Sequence, residues 1–228
     1  MTRTRTLMMS SALTLVSALP AYADLTAEQV LADQLRQMEL YGLSAEVTGQ
    51  SRSGDTLTVD GFTATAEMPD GAIELEVGGA MFREIGDGSV EVTYPDVIPL
   101  NIKGTTIDDE PFEVAMSISQ TNTRSVVSGI PEEITYTFVS ESMSIDGLEF
   151  VEPQEAAELD MEIALQLAGL SGVGSFVGGG TVRDYTADID VDNMSVTFSG
   201  APEDEVGNFS LVMEIADLAA DYEGSVAP

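Results

Sequence analysis

The acidic run DIDVDN, Asp188–Asn193, comes closest in this sequence to a metal-binding motif. Oxygen ligands at alternate positions are typical of calcium loops. The motif fails, however, because Asn193 stands where the turn glycine of such a loop belongs and Ser199 stands where its bidentate glutamate belongs. Ile189 and Val191 alternate with the aspartates, which predicts a strand with one apolar and one acidic face. We therefore expect no specific metal site here, only weak binding of Ca²⁺ or Mg²⁺ along the carboxylates.

The residue types that carry most enzyme chemistry are missing, since the chain has no His, no Cys and no Trp. This removes imidazole bases, Ser-His-Asp triads, thiol nucleophiles and His/Cys metal sites together. Carboxylate pairs are uninformative, because 40 acidic residues guarantee some pair at any useful separation. Lys103 lacks the S-x-x-K spacing of a nucleophile dyad, and we interpret Lys103 and Arg183 as surface cations. The sequence predicts no catalytic residue, no cofactor site and no metal site.

Acidic residues dominate the charge of the chain, with 40 Asp and Glu against 8 Lys and Arg and a formal net charge of −32. Such a surface repels phosphate backbones and anionic lipid head groups alike. We therefore exclude nucleic acid as a partner, and also electrostatic docking to membranes. A hydrophobic content of 43% predicts a folded core and not an acidic disordered chain. The acidity is most simply explained as a source of solubility.

Residues 1–23 have the three-part organisation of a secretory signal. Two arginines precede an apolar stretch over residues 7–19, and Ala21 and Ala23 form an A-x-A cleavage site. We predict cleavage between Ala23 and Asp24, and hence a periplasmic or secreted protein. The apolar stretch is too short to span a bilayer, and no later segment is long enough, so we predict no integral membrane span.

Residues 24–228 are predicted to form a single elongated domain, with one α-helix over 24–42 and antiparallel strands over 44–228. Thr26 and Gln29 have the spacing of a capping box, and apolar residues follow at helical intervals until a glycine ends the pattern. From residue 44 onward the apolar period changes to two, and tight-turn residues separate the runs. Hairpins in sequence order predict a meander, which forms one extended, curved, mainly β fold.

Three similar phrases recur along the chain: FEVAMSIS from Phe112, MEIALQLAGLSG from Met161 and MEIADLAADYEG from Met213. Their large apolar residues occupy every second position, which places them on one face of a strand. Burying a Leu or Ile outweighs helix propensities that differ by only tenths of a kcal/mol, so we predict strands and not helices. The recurrence predicts quasi-repeated units of about 50 residues that stack on one another. Chance recurrence of a generic alternating strand is the alternative.

The order of these motifs resembles a known family. An export signal, an LTAEQV-type short helix, a GDGSVEVTYPDVIPL-type hairpin and strands ending in GLSG are similar to the alphaproteobacterial "domain of unknown function 2125" family. The resemblance covers most of the chain after the signal. It implies an exported, β-rich envelope protein, and it carries over no catalytic residue.

The apolar face of such a sheet must be covered by a second sheet, by curvature of the sheet itself, by a partner or by a ligand. Methionines in the strands suit an adaptable surface. We predict a non-enzymatic binding or carrier module for a lipid or another apolar ligand. The alternatives are ordinary core packing of this face, or a structural or protein-interaction module of the envelope that uses exposed strand edges. The predicted ligand face comprises Met116, Met161, Ile163, Leu165 and Met213.

Overall fold

The computed structural model describes part of the chain, namely residues 24–68, 71–105, 110–152, 160–178, 182–201 and 209–226. The predicted signal peptide lies outside the described residues. The side chain of Met161 is not described either, although its backbone is.

Helix α1 spans Ala27–Leu40, so it begins and ends inside the predicted range of 24–42. The predicted capping box is confirmed: the Thr26 hydroxyl accepts from the Gln29 amide at 3.2 Å. The Gln29 side chain in turn accepts from the Thr26 amide at 2.9 Å. Two of the backbone donors that the first turn would leave unpaired are thereby satisfied.

The described strands form one antiparallel sheet, as the sequence predicts. β4 and β5 both pair with β3 and continue in one direction, and β6 and β7 do the same beside β8. Counting each of these two pairs as one interrupted strand, the sheet is a meander in sequence order. The strands are β1 Ser44–Ser53, β2 Thr56–Met68, β3 Gly71–Glu84, β4 Val90–Thr93, β5 Val97–Thr105, β6 Pro111–Thr121, β7 Arg124–Ile130, β8 Glu133–Glu152, β9 Asp160–Val177, β10 Arg183–Ala201 and β11 Phe209–Val226.

The sheet curls around α1. Helix α1 contacts β1, and its Asp33 side chain also accepts a hydrogen bond from Arg183 at the start of β10. In a flat sheet, the seven inter-strand steps from β1 to β10 would cover about 34 Å, which exceeds even the roughly 21 Å length of the 14-residue helix. The two strands can meet the same helix only if the sheet is strongly curved. We call the face that contacts α1 the inner face.

The core lies between α1 and one half of the sheet, which we call the helix half; it contains Leu57, Phe82 and Tyr136. The other half, which contains Leu165 and Val196, is called the open half. Burial of large side chains is concentrated in the helix half. The core cluster is Leu25, Ala27, Val30, Leu31, Leu57, Val59, Phe62, Ala80, Phe82, Val90, Val92, Val127 and Ile134.

The two halves are separated by a row of irregular positions that crosses the sheet, which we call the interrupted row. Within the described ladders, each neighbouring pair of strands skips its pairing at this level. Positive φ angles, which are uncommon for residues other than glycine, occur here at Asn122 (51°), Gly169 (63°) and Asp217 (52°). Members of the row are Asp60 on β2, Gly79 on β3, Asn122 between β6 and β7, Glu141 on β8, Gly169 on β9, Asp192 on β10 and Asp217 on β11.

The interrupted row keeps apolar residues on the inner face in both halves. Val59 and Phe62 are three residues apart on β2, so a regular strand would place them on opposite faces. Both nevertheless belong to the core cluster under α1. Ala80 and Val77 show the same relationship on β3. Side chains normally alternate between the two faces of a strand. The irregular residue between the members of each pair shifts this alternation by one position, as a β-bulge does in a single strand.

The structure does not divide the sheet into the predicted repeats. Val196 on β10 lies between Leu165 on β9 and Met213 on β11. Met161, which corresponds to Met213 in the matching letters, pairs with Gly200 at a different level of the sheet. Residues that correspond in the aligned phrases therefore do not occupy corresponding positions in the sheet, and the repeated units are not confirmed.

Candidate apolar ligand site

A row of six apolar side chains crosses the open half. Directly paired residues of neighbouring strands project from the same face, and their side chains are in contact range. This apolar row runs from Ile98 on β5 to Ile118 on β6, Ile145 on β8, Leu165 on β9, Val196 on β10 and Met213 on β11.

The apolar row lies on the inner face. Leu100 is two residues from Ile98 on β5 and therefore shares its face. Leu100 pairs with Val77 on β3, and Val77 packs against the core cluster under α1. The apolar row and the core are thus parts of one continuous inner surface.

The row of inner-face residues next to the apolar row is also apolar. Ile163, Phe198 and Leu211 form the next apolar row, two residues further along each strand, and the Phe198 and Phe209 rings are in tilted contact with centroids 5.3 Å apart. Directly behind the apolar row, on the outer face, polar residues pair across the same strands: Ser144, Gln166, Ser195 and Glu214. This half of the sheet is therefore amphipathic, with an apolar inner face and a polar outer face.

Exposure of the inner face rises from β5 toward β11. Ile98 is 7% exposed, whereas Ile163 is 36%, Met213 49% and Leu211 64% exposed. Helix α1 packs against the core of the helix half and leaves inner side chains of the open half on β9 and β11 accessible. Contiguous exposed apolar surface of this kind marks interaction sites in soluble proteins.

The predicted ligand-face residues are partly brought together. Leu165 and Met213 both lie in the apolar row, and Ile163 lies in the adjacent row. Met116 lies two residues from Ile118 on β6, on the same face. Met161 occupies the end of β9 opposite Gly200, and its side chain is outside the described residues.

Sequence reasoning missed four members of the apolar row, namely Ile98, Ile118, Ile145 and Val196. Each belongs to an alternating apolar pattern, so the signal was present on the individual strands. What the patterns could not supply was the register that aligns these residues across six strands.

A buried polar cluster fastens α1 to the sheet. Asp33 on α1 is 6% exposed and Arg183 is fully buried; the Arg183 guanidinium donates to the Asp33 carboxylate. The Tyr136 hydroxyl and the Gln37 side-chain amide each donate to the same carboxylate at 2.7 Å. The Arg183 guanidinium also lies over the Phe176 ring, 5.3 Å from its centroid. This cation–π contact stabilises the positive charge of Arg183.

The interpretation of Arg183 as a surface cation is therefore wrong. Arg183 starts β10 on the inner face, where it compensates the charge of Asp33 on a helix that is distant in sequence. Lys103, in contrast, is partly exposed and donates to Glu76 at 2.9 Å, in agreement with its interpretation as a surface cation.

Tyr136 is a member of this cluster with a shifted pKa. Burial, followed by the nearby charge of Asp33, raises the pKa of Tyr136 far above its usual value. The phenol therefore remains a hydrogen-bond donor at every physiological pH. Because Arg183 has no solvent-exposed surface, no substrate could reach the guanidinium, and we assign the cluster a structural role.

The acidic run Asp188–Asn193 lies within β10, as its alternation predicts. Asp188 is directly opposite Asp221 on β11, and hydrogen bonding to Asp221 raises the pKa of Asp188 above its usual value. Within the described residues, no group of three or more His, Cys, Asp or Glu side chains is placed to hold a metal ion.

One cavity, with a volume of about 530 Å³, lies away from the apolar row. It is lined by residues of β7 and β8 such as Ser128, Ile130 and Thr135, together with Asp24 and Asp87. The candidate ligand site is defined instead by the continuity of its apolar side chains across the strands and by their exposure toward β11.

Fold and site define a class of protein: a curved antiparallel sheet that encloses one N-terminal helix and presents an accessible apolar inner face. No helix in the described part of the chain is both long and apolar enough to cross a membrane. No family model, no curated protein and no solved structure matches this chain. The resemblance to the domain of unknown function 2125 family therefore stays a prediction.

Proposed function

We propose that this protein is an exported binding or carrier module for a lipid or another apolar ligand, which lies on the inner face of the open half. The observation that carries the proposal is the apolar row, in which six strands each contribute one apolar side chain to a surface that becomes increasingly exposed toward β11. The signal-like residues 1–23 support a periplasmic location, where such a module would move apolar molecules through water.

The expected affinity follows from burial of the ligand chain. Each methylene group removed from water contributes about 0.8 kcal/mol. A chain of about ten methylenes would gain on the order of 8 kcal/mol before the costs of ordering the ligand and the side chains. If the ordering costs are small, this gain corresponds to a dissociation constant near the micromolar range.

A structural or protein-interaction module is the second candidate, favoured by the edge of the sheet. β11 pairs with β10 along its length, and no described strand pairs with its other side. Val212 and Tyr222 on this strand are both 55% exposed. An unpaired edge of this length can accept an additional strand from a partner.

The test is to purify the protein from its native periplasm without detergent and to analyse it by native mass spectrometry and organic extraction. We expect co-purified lipid, and binding of a fluorescent acyl probe to the delipidated protein. Leu165→Asp should weaken probe binding at least tenfold, because it places a carboxylate in the centre of the apolar row.

Gln166→Asp is the matched control, since it adds the same carboxylate to the outer face of β9. Probe binding by this variant should resemble that of the unmodified protein. A lipid-free protein that binds no acyl probe would contradict the carrier proposal, and capture of an envelope protein that requires the β11 edge would then support the second candidate.

A further inference from the structure

On β8 to β11, the described part of the inner face of the open half carries no charged side chain. Its described positions on β8 to β11 are apolar or glycine, from Met143 and Ile145 on β8 to Phe209 and Ile215 on β11. A ligand chain on these four strands therefore meets apolar side chains. We expect the polar end of the ligand to remain at the solvent-exposed edge of this face, which we call the rim, within the electric field of the protein.

That field is negative. The chain has a formal net charge of −32, and the outer face of the open half carries Glu74, Glu76, Glu113 and Glu214. Lys103 is the one basic side chain among the described strand residues of this half, and it is paired with Glu76. A head group at the rim therefore lies in the field of a protein with a large excess of carboxylates and little compensating charge.

We infer that the inner face selects its ligand by head-group charge: it accepts apolar chains whose head group is uncharged or cationic and rejects those whose head group is anionic. This inference rests on the proposed function and adds the chemical class of the ligand. Surface potentials of several kT are usual for strongly charged proteins. A potential of two to three kT at the rim would weaken binding of a singly anionic ligand about tenfold relative to an uncharged one.

Three fluorescent probes with the same nitrobenzoxadiazole-labelled dodecyl chain test the inference. Their head groups are a carboxylate, an uncharged glycerol ester and a trimethylammonium. Fluorescence titration at about 10 mM salt should show the uncharged and cationic probes binding about tenfold more tightly than the anionic probe. The difference should shrink at about 300 mM salt, where the field is screened over a shorter distance.

The possible failures are distinguishable. Equal affinity for all three probes at low salt, or tightest binding of the anionic probe, would overturn the head-group inference and leave the carrier function standing. Binding of none of the probes would overturn the proposed function and this inference with it.

Two lysine substitutions on β11 locate the head group. Met213 lies on the inner face and is 49% exposed, whereas the neighbouring Val212 lies on the outer face and is 55% exposed. Met213→Lys should raise the affinity for the anionic probe several-fold relative to the uncharged probe. Val212→Lys adds the same charge to the outer face and should change this ratio little. Equal changes in the two variants would contradict placement of the ligand on the inner face.

Discussion

Arg183 at the start of β10 donates to the buried carboxylate of Asp33 on α1, although 150 residues separate them in sequence. Removing the cation leaves Asp33 buried with only the neutral donors Tyr136 and Gln37. We therefore expect Arg183→Met to lower the free energy of unfolding by about 3–5 kcal/mol, as is typical when one partner of a buried ion pair is lost. Urea denaturation followed by circular dichroism measures this change.

The double variant Asp33→Leu with Arg183→Met is the informative comparison. It removes both charges together, so it should be more stable than Arg183→Met alone. If the two substitutions instead destabilise additively, the pair is not energetically coupled and the structural role of the cluster is wrong.

Gly169 in the interrupted row should not tolerate a side chain. Its φ angle is 63°, and a Cβ atom there would overlap the side chain of Asp192. We expect Gly169→Ala to destabilise the protein by about 1–2 kcal/mol from the backbone alone, and by more from the clash. The control is Gly174→Ala on the same strand, where the nearest atom would be 3.8 Å away. Equal melting temperatures for the two variants would contradict the described geometry of the interrupted row.

Asp188 and Asp221 are expected to make stability depend on pH. The hydrogen bond to Asp221, with the repulsion from its charge, raises the pKa of Asp188 in the folded protein. A raised folded-state pKa means that the ionised pair opposes folding at neutral pH, and that this cost disappears as pH falls through the raised pKa. Asp188→Asn should therefore raise the denaturation midpoint at neutral pH and have no effect below the usual Asp pKa of 3.8.

Glu214→Gln on the outer face of β11 is the control for this titration, because Glu214 faces Ser195 and not another acid. Its substitution should change the midpoint less at neutral pH. A larger effect for Glu214→Gln would show that net charge, and not the Asp188–Asp221 pair, controls the pH dependence.

Calcium should have no specific effect on stability. The carboxylates of Asp188 and Asp190 alternate along a strand and do not converge on one point, since both lie on the same extended backbone. Millimolar Ca²⁺ should raise the melting temperature no more than sodium chloride of equal ionic strength. A specific increase that Asp190→Asn abolishes would restore the metal hypothesis.

Local signals in the sequence are sufficient to predict the helix and the strands. The Thr26–Gln29 capping box predicts the start of α1, and alternation from Met161 to Leu167 predicts a strand despite its helix-forming composition. The interrupted row also leaves a local signal, which is an apolar spacing of three inside an alternating strand, as between Val59 and Phe62. That spacing does not reveal the interrupted row, because the pattern of one strand does not show that the neighbouring strands are irregular at the same level.

Long-range pairing could not be predicted in this way. The partner of Arg183 is on a distant helix, and nothing near either residue in sequence indicates the contact. The apolar row likewise depends on the register of six strands, so residues such as Ile118 and Val196 acquire their place only from the assembled sheet.

The distance between Asp33 and Arg183 also imposes an order on folding. Each strand of the meander pairs with a sequence neighbour, so β1 to β3 can assemble against α1 as soon as they are available. Asp33 cannot obtain its counter-ion until β10 has formed, which makes early docking of the helix reversible. Until then, burial of the Asp33 charge under the docked helix is not compensated. We therefore expect stable docking of α1 to be a late step in folding, which follows formation of most of the sheet.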